Sequence, residues 1–531
     1  MSQITKLPVI SEEQRTPLVA ALIEIIHFQQ EQIQLLKDEI ARLKGQKPEP
    51  EIRPSTLENS SRENKEEDIK PESEKRPGSG KKEKTKELEI HETKTIRPDH
   101  IPEGSRFKDY NDYVVRDIVI RSHNILYRPE RWETPDKKYI AGELPKEIAG
   151  SHFGPTLIGY ILHQYHHAHV TQPLIVEELR EFGTDISSGQ VNRIITEGKE
   201  EFHAEKKEIL LAGLGVSEYI NADDTGARHK GKNGYRTHIG NELFAWSEST
   251  ESKSRINFLR LLSAGNVRYV INSDAIIYMT QQGLGKALLL KISESNNTFF
   301  MSGHEWKRCP EGLGVTSERH IRIASEGALY ANVPENGFNP KLVILSDDAG
   351  QFDVFLHALC RVHTERIINR LVGFSEEQRQ ALEQKRSEIW DYYAKLKEYK
   401  TLPDEQKKAE LQARFDEIFT GNTCFASLNQ ALKRIHKNKS ELLLVPDRPE
   451  IPLHNNMSEN DIREYVKKRK ISGPTRSDSG RKCRDTFASL KKTCRKHGIS
   501  FWKFLEDRIR GKREIPFLPD LIYLRARQSS A

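Results

Sequence analysis

Cysteine is scarce in this chain. Five residues, Cys309, Cys360, Cys424, Cys483 and Cys494, are scattered through 531, and none forms a Cys-x-x-Cys pair. An odd, dispersed set speaks against a disulfide framework and for a reducing compartment. Long apolar runs are missing too, as is a basic-then-apolar signal segment at the N-terminus. The expectation is a soluble cytoplasmic protein without membrane spans. No Gly-x-Ser-x-Gly elbow occurs, which removes the commonest serine-hydrolase signature. Ala212-Gly213-Leu214-Gly215 has neither the third glycine of a dinucleotide fingerprint nor the lysine of a P-loop. There is no internal repeat. The histidines His163, His166, His167 and His169 lack Cys or acidic partners at zinc-like spacing, so packing or a solvated face is the simpler account.

What is present is length and an uneven charge. A chain of this size has room for three or four domains. The net charge is +6 overall, yet Asn455–Ala531 alone holds 20 Lys/Arg against 9 Asp/Glu, a local +11. A basic end of this kind suggests a polyanionic partner.

The segments differ in character. Over 17–45, Val19, Leu22, Ile26, Gln29, Ile33, Leu36, Ile40 and Leu43 form a heptad seam of about four repeats, with Gln29 as a polar break. Such a seam either pairs two chains or packs on the protein's own body. Residues 47–100 hold six Ile/Leu and no aromatic residue among mixed charges, so they read as a disordered tether. Short β-like stretches follow at 113–120 and 127–132. From Pro155 to Phe202 the pattern is helical. A helix marked by Ile158, Ile161, Leu162 and Tyr165 comes first. Then come a helix over 176–182, a break at Gly183, and a third helix capped by Ser187 or Ser188. This is either an ordinary helical hairpin or a helix-turn-helix whose second helix presents Gln190, Asn192 and Arg193 to a DNA groove. Strands are expected at 219–223, 235–247, 256–262 and 342–347, with a turn at Gly231-Lys232-Asn233-Gly234. A helix is expected over 352–371, and charged helices over 375–440.

Three acidic residues stand in settings that could bind hard cations. Asp223 ends the apolar run Tyr219-Ile220-Asn221-Ala222, and Asp347 ends Leu342-Val343-Ile344-Leu345-Ser346. Each has an acidic neighbour, Asp224 or Asp348, and each could equally be a turn residue or a cap. Glu459 lies in the first turn of an expected helix, where Asn456 as N-cap would make it half of a capping box. Arg463 and Lys467 follow on its face, and Lys468, Arg469, Lys470, Arg476 and Arg481 come after them. These basic groups could grip phosphates or simply face water.

At these residues the chain resembles the DDE transposases of the insertion-sequence 66 (TnpC-like) family over roughly 125–510. Arg128-Pro129-Glu130 through His152-Phe153-Gly154-Pro155 looks like the entry to that family's central region. Ala222-Asp223-Asp224-Thr225 resembles its Ala-Asp-Glu-Thr signature, with Asp224 in place of Glu. Leu345-Ser346-Asp347-Asp348, followed by Cys360-Arg361-Val362-His363-Thr364-Glu365-Arg366, resembles its second-Asp block and Cys-x-x-His-x-x-Arg motif. Asn455-Asn456-x-x-Glu459 through Arg463 and Arg469-Lys470 resembles its third block.

The resemblance implies an α/β fold: an RNase H-like mixed five-stranded sheet with flanking helices and a helical insertion, preceded by an N-terminal coiled coil and a helical DNA-binding segment. The implied division is 1–46 oligomerisation helix, 47–105 linker, 106–205 DNA-binding region, 206–371 first part of the core with 266–340 inserted, 372–450 helical insertion, and 451–531 second part of the core with the basic C-terminal region. It implies catalysis and metal binding by Asp223, Asp347 and Glu459 with two Mg²⁺ ions, Mn²⁺ substituting. The implied partners are double-stranded DNA (terminal inverted repeats and target), a second copy through 17–45, and companion proteins of the same element. The implied activity is cleavage of element ends and 3′-hydroxyl strand transfer, in a bacterial cytoplasm at the nucleoid. The alternatives are a non-catalytic DNA-binding relative and an RNase H-like nuclease without strand transfer. Two departures from the family stand out. Residues 100–300 contain no cysteine where many relatives carry a zinc module, and Asp223 and Asp347 lie 124 residues apart.

Overall fold

The computed structural model describes Gln29 and residues 90–529, apart from 146, 147, 149, 295–297 and 313–316. The heptad seam, Gln29 aside, and residues 47–89 of the expected tether lie outside the described residues. The chain divides into Met1–Val119 and Ile120–Ala531. In the first unit, residues 90–119 form no helix or strand. Phe107, Tyr110, Tyr113, Val115 and Ile118 are exposed there. The strand expected over 113–120 is therefore absent. Apolar alternation favours a strand only when a neighbouring edge supplies hydrogen bonds.

In the second unit a small exposed hairpin pairs Arg131–Glu133 with Tyr139–Ala141, shorter than the stretch expected at 127–132. Three helices follow: α1 (Pro155–His166), α2 (Gln172–Glu181) and α3 (Ser188–Thr196). They share a small core of Ile161, Ile175, Leu179, Ile186, Val191 and Ile195. Gly183, with φ +80°, turns the chain between α2 and α3, a backbone state that side chains disfavour. The Ser187 hydroxyl accepts from Gln190 N, and the Gln190 side chain accepts from Ser187 N, closing a capping box on α3.

Helix α4 (Glu200–Val216) leads into the main sheet. Its strands are β1 (Tyr219–Gly226), β2 (Tyr235–Gly240), β3 (Ala245–Thr250), β4 (Val343–Ser346) and β5 (Leu356–Leu359). The spatial order is β3-β2-β1-β4-β5. β1, β2 and β3 form an antiparallel meander, while β4 and β5 add to β1 in parallel.

Two expectations fail locally. Residues 256–262 belong to helix α5 (Arg255–Leu262), not to a strand. Ser254 caps it by accepting from Asn257 N, and Phe258, Leu259 and Leu262 fall on one buried helical stripe. Residues 352–371 are not one helix. The sheet edge captures 356–359 as β5, and the helix that follows begins only at Arg361. Long-range pairing here outweighs local propensity.

Strand parity divides the sheet between two cores. Ile220, Ala222, Ile239 and Ile344 face a layer that contains α5, α6 (Ser273–Gln281) and α7 (Glu318–Glu335). Much of the segment 266–340 thus covers this face. Tyr219, Val343 and Leu345 face the other core. Its cover comes from α8 (Arg361–Asn369), α9 (Glu376–Thr401), α10 (Glu405–Thr420) and α11 (Ala426–Lys437). Leu396, Phe415, Leu428 and Leu432 are fully or almost fully buried in it. The helical stretch 376–437 is therefore one of the two layers that bury the sheet. The chain ends in α12 (Asn456–Ser472), α13 (Asp478–Lys496), α14 (Phe501–Ile509) and α15 (Leu518–Ser529).

Candidate functional site

β1 and β4 run in parallel register, with Asn221 beside Leu345. β4 stops at Ser346, but β1 continues to Gly226 paired with β2 alone. A notch opens where β4 leaves off, with Asp223 on the standing strand and Asp347 on the departing chain. Asp223 is opposite His238 on β2, and Asp224 is opposite Thr237, so the two neighbours point to different faces. Asp224 is held by Thr237 Oγ1 at 2.5 Å and Gln351 Nε2 at 2.9 Å. Asp348 is held by Arg434 Nη2 at 2.6 Å and Asn438 Nδ2 at 3.3 Å. Asp224 and Asp348 are thus held by side chains, whereas Asp223 and Asp347 accept only from the nearby backbone N–H groups of Asp224 and Ala349.

The third carboxylate arrives on α12. Asn455, fully buried, donates from Nδ2 to Ala222 O at 3.1 Å, and its N–H meets Cys360 Sγ at 3.2 Å. These contacts fasten the head of α12 to β1 one residue before Asp223. Asn455, not Asn456, is the N-cap, and its side chain caps nothing. The expected capping box is therefore not made. Glu459 instead faces Arg366 Nη1 at 3.4 Å, His363 Nε2 at 3.6 Å and Arg463 Nη2 at 3.6 Å. His363 and Arg366 are three residues apart on α8, which sets them on one face. Their spacing in the Cys360–Arg366 motif was the available signal, but the motif does not reveal their target.

Burial pushes the Asp223 carboxyl up to about 7, and Asp347, Asp224 and Glu459 push the same way against a backbone hydrogen bond from Asp224. Asp347 and Glu459, each more than a hundred residues from Asp223, are thus both in electrostatic reach of it. A divalent cation would reverse this penalty, because it replaces like-charge repulsion with attraction. The donor set, all carboxylate oxygen, suits a hard ion. Asp223, Asp347 and Glu459 do not form a set with oxygens all within 4.8 Å of one another.

A second group is tighter. Asp353, His357 and Glu441 bring ligand atoms within 4.8 Å and are compatible with a divalent metal. His357 is already engaged, Nδ1 with Glu441 Oε1 at 2.7 Å and Nε2 with Ser346 Oγ at 2.8 Å. Nothing in the sequence marks it, because Glu441 is 84 residues from His357.

The basic residues separate into two sets. Arg193, Arg463, Lys467, Lys470 and Arg476 are exposed. Asn192 is exposed and accepts from Gln172, while Gln190 is committed to its capping box. Arg469 donates to Gly226 O, and Arg481 is 28% exposed beside Asp478. Lys468 departs from the expected phosphate-gripping role. It is only 4% exposed, packs over the Tyr165 ring and donates to Tyr165 O at 2.6 Å. Packing of α12 against α1 turns it inward, beside Tyr165. Two histidines of α1 pack against rings: His166 stacks on Phe487, and His163 on His167 just past the helix end.

Among the described residues, no helix is long and apolar enough to cross a membrane. A family model described as Transposase IS66 family matches residues 347–483, from the Asp347 turn through Glu459 into α13. The uncharacterized protein y4jO of Sinorhizobium fredii is 40% identical over 303 residues, 57% of this chain and 94% of that protein. On the matched block, the chain belongs to the IS66 family of transposases.

Proposed function

We propose that this protein is a DDE-type transposase that cleaves the ends of an insertion sequence and joins the freed 3′-hydroxyl to target DNA. What supports the reading is that Asp347 and Glu459 both press on the Asp223 carboxyl, on the strand that runs on past the end of β4. The strand order β3-β2-β1-β4-β5 supports an RNase H-like core.

In this reading the three carboxylates hold two Mg²⁺ ions, with Mn²⁺ as a substitute. Bound there, the ions would supply charge neutralisation at phosphorus and activation of an oxygen nucleophile. The protein's own groups do the rest. Asn455 fixes the head of α12 to β1, and Arg366 and His363 orient Glu459. Asp224, tied to Thr237 and Gln351, stiffens the strand beside Asp223. Double-stranded DNA lies along exposed Arg463, Lys467, Lys470 and Arg476, with Arg469 and Arg481 at the margin. α3 offers Asn192 and Arg193 for recognition of the ends. Residues 17–45 pair two protomers, which suits a reaction on two DNA ends, and 47–105 tethers them. The reaction takes place in the cytoplasm with companion proteins of the element.

The test is a strand-transfer assay with Asp223→Ala, Asp347→Ala and Glu459→Ala. Each is expected to lower product by about a thousandfold or more, the scale on which essential groups act. Full activity in any one of them removes that residue from the site. A pre-cut 3′-hydroxyl end supplied as substrate separates a transposase from a nuclease that only hydrolyses.

A further inference from the structure

We propose that the cavity enclosed by α1, β2, α12 and α13 is a site for a small inorganic anion. It has a volume of about 30 Å³, room for two waters or one ion of chloride size. Its wall carries Arg236, Lys468, Arg484, Lys491 and Lys492 against two acids, Asp461 and Glu464. Both acids are ion-paired, although Asp461 Oδ2 and Glu464 Oε2 lack a well-directed hydrogen bond. Glu464 pairs with Lys491 and Lys492, and Asp461 with Lys492 and Lys496 at 3.2 and 3.3 Å.

The remaining cations have no carboxylate to match them fully. Lys468 is 4% exposed and bonded only to a carbonyl and a ring face. Arg484 is 6% exposed, and one nitrogen donates to Gly473 O at 3.0 Å while its Nε meets nothing. Arg236 is 4% exposed, stacks on Tyr465 and lies 3.5 Å from Asp485, yet its Nη1 has no acceptor. His166 Nε2 is likewise buried without a partner. Buried donors left unpaired are destabilising, so their convergence on one cavity calls for an acceptor.

The electrostatics agree with this geometry. Burial, Arg484 and Lys491 push the Lys468 ammonium down to about 7, and burial with Lys468, Lys491 and Arg484 drives His166 well below its ordinary range. These cations repel one another across the cavity, and an anion between them relieves the repulsion. It would also knit α12, which carries Glu459, to β2, α13 and α1. The site shares no residue with the proposed catalytic acids, so the two proposals stand or fall separately.

The experiment is thermal unfolding of the full chain in sodium chloride, sodium phosphate and sodium gluconate at equal ionic strength. Gluconate is too large for the cavity and sets the baseline. A saturable rise of about 2 °C or more in chloride, phosphate or both is expected. A response to chloride alone identifies a halide site, and one to phosphate alone an oxyanion site. Lys468→Met and Arg484→Met are each expected to abolish the response, and Lys468→Met should unfold in gluconate no lower than the parent, since it removes a repelling charge. Diffraction from bromide-grown crystals should show an anomalous peak inside the cavity. An identical parent midpoint in all three salts with no bromide peak, or a full response retained by both variants, overturns the proposal.

Discussion

Helix α12 carries two opposite electrostatic predicaments. At its first turn Glu459 joins Asp223 and Asp347 in a crowd of acids. Nine residues on, Lys468 joins Arg484, Lys491 and Arg236 in a crowd of cations. Each crowd is destabilising by itself, and each is relieved by an ion of the other sign. They differ in access. Glu459 retains 18% of its side-chain exposure, whereas Lys468 and Arg484 are at 4% and 6% overall. An open crowd can exchange ions and admit a phosphate backbone. A closed one can only hold its ion as part of the fold. Charge of one sign gathered in a fold marks a missing partner, and exposure indicates whether that partner turns over.

The contrast can be broken at several points, beyond the triad substitutions. Arg366→Gln loosens Glu459 from the side, and a fall of about 10- to 100-fold in strand transfer or Mg²⁺ affinity is expected by titration. Asp223→Asn removes the strained charge. The sign follows from its raised value: below its ordinary 3.8 the protonated carboxyl favours the fold, and that advantage is lost as pH rises from about 4 through about 7. The metal-free variant should therefore be more stable than the parent at pH 8, by on the order of 1–3 kcal/mol in denaturant unfolding, while strand transfer disappears. A parent whose metal-free stability does not decline over that pH range contradicts the crowding. Asn455→Ala should cost about 1–3 kcal/mol, because it strips a buried amide bond from the β1 carbonyl. The smallest effects concern DNA. Lys467→Ala and Lys470→Ala should each reduce the slope of log affinity against log salt by about 1, and Lys468→Met should leave that slope unchanged.

Much of the architecture was legible in the residues. Apolar runs ending in Asp located β1 and β4, and helical spacing with Ser187 and Gly183 located α1 to α3. The failures share a cause. Residues 256–262 look β-like because of Ile256 and several leucines, yet the cap at Ser254 and the stripe of Phe258, Leu259 and Leu262 make a helix. Residues 356–359 look helical until β4 offers an open edge. The stretch 113–120 alternates like a strand but has no edge to join. In each case a partner remote in sequence, or its absence, decided the outcome.

At the site, residue type and position singled out Asp223, Asp347 and Glu459, but not the choice between adjacent acids. Strand parity sets Asp223 and Asp224 on opposite faces, with Asp224 held by Thr237. Likewise, a run of basic residues on α12 reads as one phosphate-facing surface until packing sends Lys468 inward against Tyr165. The sequence by itself determined which chemical groups exist and the local elements that carry them, because capping, periodicity and apolar runs act over a few residues. Only the tertiary structure decided which charges share an environment, because burial and Coulomb forces act through space between residues that the chain keeps far apart.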